Sequence, residues 1–210
     1  MFKHTEAIGK RYDGLSGQEC CLSCGNALAL ADIRTGQVCV DLGCGKGHDV
    51  LRMAAMAGSG GFAYGIDISE GMMETARANA GKLGLNNVAF LKCPLEKLDI
   101  QSASADLVLS NCTINHSLDQ AGVWKEVARI LKSGGRFVVS DIYALEEVPD
   151  RYRADPEAVA ECWAGAVMKE DYLANIRDAG LRNLEILEES DPYEKGAIRV
   201  ASFTLRGFKP

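Results

Sequence analysis

The chain has 210 residues, 47% of them hydrophobic, and a formal net charge of −6. That length suits a single domain with a sizeable core. The acidic balance without a basic stripe argues against nucleic acid as a partner, and no apolar run is long enough to span a bilayer, so no membrane partner is expected either.

The start, Met1-Phe2-Lys3-His4-Thr5-Glu6, carries no apolar signal region, which leads to an expectation of a cytoplasmic protein. Thiols stay reduced there, so the eight cysteines read as core, metal-binding or catalytic residues rather than disulfide staples. Residues 1–36 are expected to form a polar, cysteine-bearing N-terminal cap, and 37–210 the main domain. Strands are expected at 37–42, 61–66, 87–92, 105–110, 135–141, 181–188 and 197–206, and helices at 47–57, 69–83, 119–132 and 168–179. This alternation predicts an α/β fold, a mainly parallel seven-stranded sheet with helices on both faces. The last strand is expected to insert antiparallel, leaving 181–188 at the sheet edge. Asp119 is a candidate N-cap, and Gly134-Gly135 and Gly180 are candidate helix stops. Residues 143–167, with Pro149 and Pro156, read as an insertion.

The most informative stretch is Val38-Cys39-Val40-Asp41-Leu42-Gly43-Cys44-Gly45-Lys46-Gly47. It reads as a buried strand running into a glycine loop that opens a helix. Glycine lets a backbone turn tightly and approach a ligand closely. The spacing departs from the dinucleotide fingerprint, and Gly45-Lys46-Gly47 departs from the P-loop. An acid before the loop suits a cationic amino-acid ligand better than a phosphate. Asp67, 20 residues beyond Gly47, ends the second strand, where an acid accepts ribose hydroxyls; capping of the next helix is the alternative.

These features, with Leu91-Lys92-Cys93-Pro94-Leu95-Glu96 and Ile130-Leu131-Lys132-Ser133-Gly134-Gly135, resemble the class I S-adenosylmethionine (SAM) methyltransferases. The resemblance implies a Rossmann-like fold, SAM as cofactor, and a binding set of Asp41, Gly43, Gly45, Gly47, Asp67, Ile68, Leu95, Glu96 and Asn111. Three further segments are more specific: Cys24-Gly25-Asn26 in the cap, Ser110-Asn111-Cys112-Thr113-Ile114-Asn115 after the fourth strand, and Glu161-Cys162-Trp163-Ala164-Gly165-Ala166 in the insertion. They are similar to segments of the arsenite methyltransferases. That resemblance implies that Cys24, Cys112 and Cys162 hold As(III) as substrate, and that SAM supplies the methyl group. It also implies a thiol reductant, glutathione or thioredoxin-type, with Cys20 and Cys21 as candidate resolving thiols. Soft thiolates are the protein ligands suited to a thiophilic As(III). Cys39, Cys44 and Cys93 read as core. A methyltransferase of another small metabolite, or a non-catalytic thiol-based arsenic or metal binder, would share most of this pattern. His116 departs from the family pattern and reads either as a titratable group near the active face or, by preference, as a surface histidine at a helix start. Asp49 faces either the methionine end of SAM or its own helix N-terminus.

Overall fold

The computed structural model describes residues 2–15 and 25–210, so Cys20, Cys21 and Cys24 lie outside the described residues. The elements in chain order are α1 (Phe2–Leu15), β1 (Val38–Leu42), α2 (His48–Ala57), β2 (Phe62–Asp67), α3 (Glu70–Leu83), β3 (Val88–Lys92) and β4 (Ala105–Asn111). They continue with α4 (Gln120–Ile130), β5 (Leu131–Ala144), α5 (Asp150–Arg153), α6 (Pro156–Ala160), α7 (Lys169–Asp178), β6 (Arg182–Glu189), β7 (Tyr193–Lys195) and β8 (Ile198–Phe208).

The strands form one sheet in the order β3-β2-β1-β4-β5-β8-β6, with short β7 paired to β8. Strands β1 to β5 are parallel, and β8 runs antiparallel between β5 and β6. The inserted last strand and the edge position of β6 are as the sequence led one to expect. The eighth strand, β7, is three residues long and escaped the pattern. This is the class I SAM methyltransferase fold. Strand order reverses between β1 and β4, which opens a crevice at their carboxyl ends.

Alternation along the strands divides the core between the two faces. Val40, Val108, Phe137 and Val139 pack with Val123, Trp124 and Val127 of α4 and Tyr172 and Ile176 of α7. Cys39, Leu107, Leu109 and Val138 pack on the other face with Val50 and Met53 of α2, Met73 of α3, and Ala27 and Leu28 of a short 3-10 turn. A smaller cluster beneath α5 and α6 holds Val159, Cys162 and Trp163 with Ile142 and Val200. Among the described residues no helix is long and apolar enough to cross a membrane.

The expected cap is partly helical. In α1, Ile8, Tyr12 and Leu15 recur at helical spacing, but Gly9 and Gly14 mask the signal. Helix α4 is capped by Asp119, whose carboxylate accepts from Gly122 N–H at 2.9 Å. It ends at Ile130 rather than 132, because Leu131 already pairs with Ala105 of β4. Gly134-Gly135 therefore lies within β5 instead of stopping the helix, and β5 extends past 141 to Ala144. The 143–167 insertion contains α5, α6 and a 3-10 turn at Trp163–Gly165.

Candidate functional site

A cavity of about 530 Å³ lies over the carboxyl ends of β1, β2 and β4. Asp41, Gly43, Gly45, Asp67, Ile68, Leu95, Glu96, Asn111, Cys112 and Cys162 all line it. Gly47 does not. It takes a left-handed φ of +80° as the N-cap of α2, and a Cβ there would come within 3.0 Å of Ala76 and 3.1 Å of the Phe90 ring. Its glycine thus serves the packing of the loop on α3 and β3. At Gly45 (φ +50°) an added Cβ would meet no atom within 4 Å, so this turn is open to a ligand.

Three acids gather at this end. Asp41 is 4% exposed, and burial, then the carboxylates of Asp49 and Asp67, push its pKa well above the usual range. All three influences disfavour a lone negative charge, so a bound cation would relieve the site. Asp67 Oδ2 accepts from Gly45 N–H and its Oδ1 from Ser69 N–H, each at 2.9 Å. Burial raises its pKa, and these backbone donors oppose the rise. The helix-cap role falls to Ser69, whose hydroxyl accepts from Met72 N–H at 3.1 Å. Asp49 accepts from Asn111 Nδ2 at 2.8 Å and pairs with Arg52 at 3.7 Å. Asn111 Oδ1 is buried without a hydrogen-bond partner among the described residues. A buried acid cluster, an orphaned amide oxygen and an open glycine turn fit a cationic, hydroxyl-rich ligand such as SAM.

The sulfur half begins where β4 ends. Cys112 N–H donates to Ser140 O at 2.8 Å, and Cys112 takes φ +52°. Cys162 follows α6 with φ +76° and ψ −41°, and is 5% exposed. Its thiol donates to the Cys112 carbonyl at 3.6 Å. The fold thus brings together two of the three cysteines, from segments 50 residues apart; Cys24 lies outside the described residues. Both take a backbone conformation that non-glycine residues rarely adopt, at a cost of about 1–3 kcal/mol each. Strain of this kind collects at sites where a side chain is needed. Cys162→Gly is therefore expected to be more stable than Cys162→Ala by about 1 kcal/mol, the reverse of the usual helix or strand order. Paired urea denaturation of the two variants measures this; the ordinary order would remove the strain argument.

Among the other cysteines, burial raises the Cys39 thiol to about 11 and holds the Cys44 thiol well above its ordinary value, as befits core residues, although Cys44 also borders the crevice.

His116 is buried, which corrects the surface expectation. Nothing local in the sequence signals it, because the burial comes from α1 and α6. Tyr12 OH lies 3.0 Å from Nε2, and Nδ1 lies 3.1 Å from Val159 O. A carbonyl only accepts, so Nδ1 carries the proton and Nε2 accepts from Tyr12. Burial lowers the pKa of His116 to about 4, so the ring is neutral at pH 7.

Helix α1 reaches both halves of the crevice. Asp13 accepts from Ser69 Oγ at 2.5 Å and Gly71 N–H at 3.0 Å on the acid side, and Arg11 pairs with Glu161 at 3.3 Å on the sulfur side. Tyr12 and Asp13 had no motif to announce them; the spacing of Ile8, Tyr12 and Leu15 was the available signal.

A family model described as a methyltransferase domain matches residues 33–180. An arsenite methyltransferase of Halobacterium salinarum is 32% identical over 194 residues, 90% of this chain and 50% of that protein. The mouse arsenite methyltransferase is 39% identical over 81% of this chain and 50% of its own length. The chain thus spans about half the length of these curated relatives. The crystal structure of an arsenic (III) S-adenosylmethionine methyltransferase from Chlamydomonas reinhardtii superposes with a TM-score of 0.79 at 30% identity, covering 97% of this chain and 73% of that one. With its fold, its acid–glycine crevice and these relatives, the chain belongs to the arsenite methyltransferase family of class I SAM-dependent methyltransferases.

Proposed function

We propose that this chain methylates As(III) held by its own thiolates. The observation that carries the reading is the meeting of Cys112 and Cys162 in the crevice that the acid–glycine loop lines. SAM, bound there, would supply an electrophilic methyl group on a sulfonium.

In the proposed roles, Asp41 faces the cationic methionine end, Asp67 the ribose, and Ile68, Leu95 and Glu96 the adenine side. Asn111 has an acceptor to offer. On the sulfur side, each thiol exchanges with an arsenic hydroxide: an As–S bond forms, an As–O bond breaks, and the thiol proton leaves as water. Cys24, Cys112 and Cys162 would make up the three sulfurs. Three sulfur ligands leave arsenic a lone pair, and the protein's work is to point it at the methyl carbon. No general base is needed, since arsenic has no proton to lose. Two electrons from a thiolate pair, leaving as a disulfide, would return methylated arsenic to the trivalent state. A glutathione or thioredoxin-type reductant would then restore the thiols, which suits a reducing cytoplasm.

The direct test supplies arsenite, SAM and a thiol reductant, and separates the arsenic species by chromatography. Methylarsenic is the expected product. SAM binding without any methylated arsenic would favour another small-metabolite acceptor.

Asp67 gives a second test. Its carboxylate serves the ligand and also holds two backbone N–H groups. Asp67→Ala should weaken SAM binding by about tenfold or more through loss of a charge-assisted acceptor. It should also lower stability by about 1–3 kcal/mol through the two unsatisfied donors. Titration calorimetry reads the first effect and thermal unfolding the second. Parental SAM affinity in this variant would remove Asp67 from the cofactor site.

A further inference from the structure

Helix α1 forms one wall of the crevice through Thr5, Ile8 and Tyr12. Its apolar anchorage is slight: from residue 5 to residue 15, Ile8 is the one buried side chain. Attachment therefore leans on polar contacts. On the acid side, Asp13 accepts from Ser69 Oγ at 2.5 Å and from Gly71 N–H at 3.0 Å. On the sulfur side, Arg11 meets Glu161 at 3.3 Å, but these side chains are 43% and 49% exposed, and a pair so screened holds weakly. Between the two, Tyr12 OH donates to His116 Nε2 at 3.0 Å. Their rings meet edge to face, with centroids 5.5 Å apart and planes at 79°.

His116 is fixed independently of α1. It closes a 3-10 turn, Ile114–His116, that follows β4, and its backbone N–H donates to Thr113 O at 3.0 Å. Its Nδ1–H donates to Val159 O of α6 at 3.1 Å. The ring therefore bridges α6 and α1, with one nitrogen on each. Such a bridge needs a donor and an acceptor on opposite sides of one rigid group, and neutral imidazole supplies both. The bridge also sits on the two cysteine-bearing segments: His116 is four residues beyond Cys112, and Val159 is three residues before Cys162.

We propose that His116 is a positioning residue which, through Tyr12, fastens α1 over the crevice and sets how long the cofactor stays there. The inference rests on SAM occupying this cavity. Gly43, Gly45, Asp67 and Asn111 on the facing walls are rooted in the sheet, whereas α1 is joined to it through side chains. The element that lifts to let the cofactor pass is therefore α1. The Tyr12–His116 bond involves neither the acid–glycine loop nor the sulfurs, so it persists while SAM is bound and breaks when α1 lifts. Its loss should speed release by the worth of one hydrogen bond. Entry requires the same lifting, so association quickens as well, and the equilibrium affinity moves less than the release rate.

The experiment loads the full chain with radiolabelled SAM and follows its release by rapid mixing with excess unlabelled SAM. Hydrogen exchange of residues 2–15 is followed in parallel without cofactor. Tyr12→Phe and His116→Leu should each release SAM about three- to tenfold faster than the parent. The double variant should be no faster than the faster single one, because both changes remove the same bond. Exchange in α1 should rise by a similar factor while the strands β1 and β4 keep parental protection. A parental release rate in Tyr12→Phe overturns the proposal. Fully additive effects in the double variant also overturn it, since Tyr12 would then act on the cofactor directly. Should His116→Leu lose its fold by orphaning Val159 O, Tyr12→Phe, which removes a single hydroxyl, carries the test. Faster release together with faster α1 exchange is then expected, and faster release with parental exchange overturns the proposal. A parent chain that binds no SAM overturns the cofactor reading itself and this inference with it.

Discussion

Cys112→Ser and Cys162→Ser should each abolish methylation of both arsenite and methylarsenite, whereas Cys24→Ser should abolish turnover of arsenite and keep part of the activity on methylarsenite. The expectation follows from valence and placement. Cys112 is anchored at the end of β4 by its N–H bond to Ser140 O, and Cys162 is held against the Cys112 carbonyl. Inorganic arsenite offers three hydroxides for exchange and is held fully by three sulfurs. Methylarsenite already carries carbon on one valence, so two sulfurs suffice. Serine keeps the size of cysteine but replaces a soft sulfur with a hard oxygen. The loss is expected to exceed about a hundredfold in kcat/KM, because orientation toward the methyl supplies much of the rate. Chromatographic speciation of products from both substrates, for the parent and the three variants, measures it. SAM affinity should remain parental throughout. Equal residual activity of all three variants on methylarsenite would contradict the division of roles.

Local patterns carried the sheet. Val38–Leu42, Phe62–Asp67 and Ala105–Asn111 are runs of β-favouring residues bounded by turn signals, and their order alone implied a parallel layout. The positions of Asp41 and Asp67 at strand ends followed from the same runs. What escaped depended on distant contacts or on weak signals. Helix α1 contains two glycines, and its stability comes from Asp13 on Ser69 and Tyr12 on His116 rather than from propensity. Pro156 reads as a loop marker but sits in the first turn of α6, where Asp155 accepts from Glu157 N–H at 3.0 Å. Asp141 carries no motif, and only the fold places Asn115 and Cys162 beside it. The left-handed backbone at Cys112 and Cys162 has no sequence signal, since cysteine there runs against its own preference.

Gly165 shows how a residue within a recognised segment acquires its physical reason only in the fold. Gly165→Ala should destabilise the protein by about 3 kcal/mol, roughly 6–12 °C in Tm for a chain of this size. A Cβ at that position would lie 1.8 Å from the backbone oxygen of Asn115 and 3.0 Å from its carbonyl carbon. Neither is the end of a flexible side chain, so the two segments themselves must separate. One carries Cys112, three residues before Asn115; the other carries Cys162, three residues before Gly165. Gly165 also donates its N–H to Cys162 O at 3.2 Å and accepts from Gln120 Nε2 at 2.9 Å. The disturbance should therefore reach Cys112 and Cys162 before it reaches the acid–glycine loop. Arsenite affinity is expected to fall at temperatures where the variant is still folded and still binds SAM. Gly81→Ala provides the contrast. That glycine lies within α3 with nothing inside 4 Å of an added Cβ, so alanine should stabilise by about 0.5–1 kcal/mol. Calorimetric scans of both variants, with arsenite and SAM titrations at 25 °C, decide the matter: a Gly165→Ala protein with parental Tm would show that the two cysteine-bearing segments are not in close backbone contact.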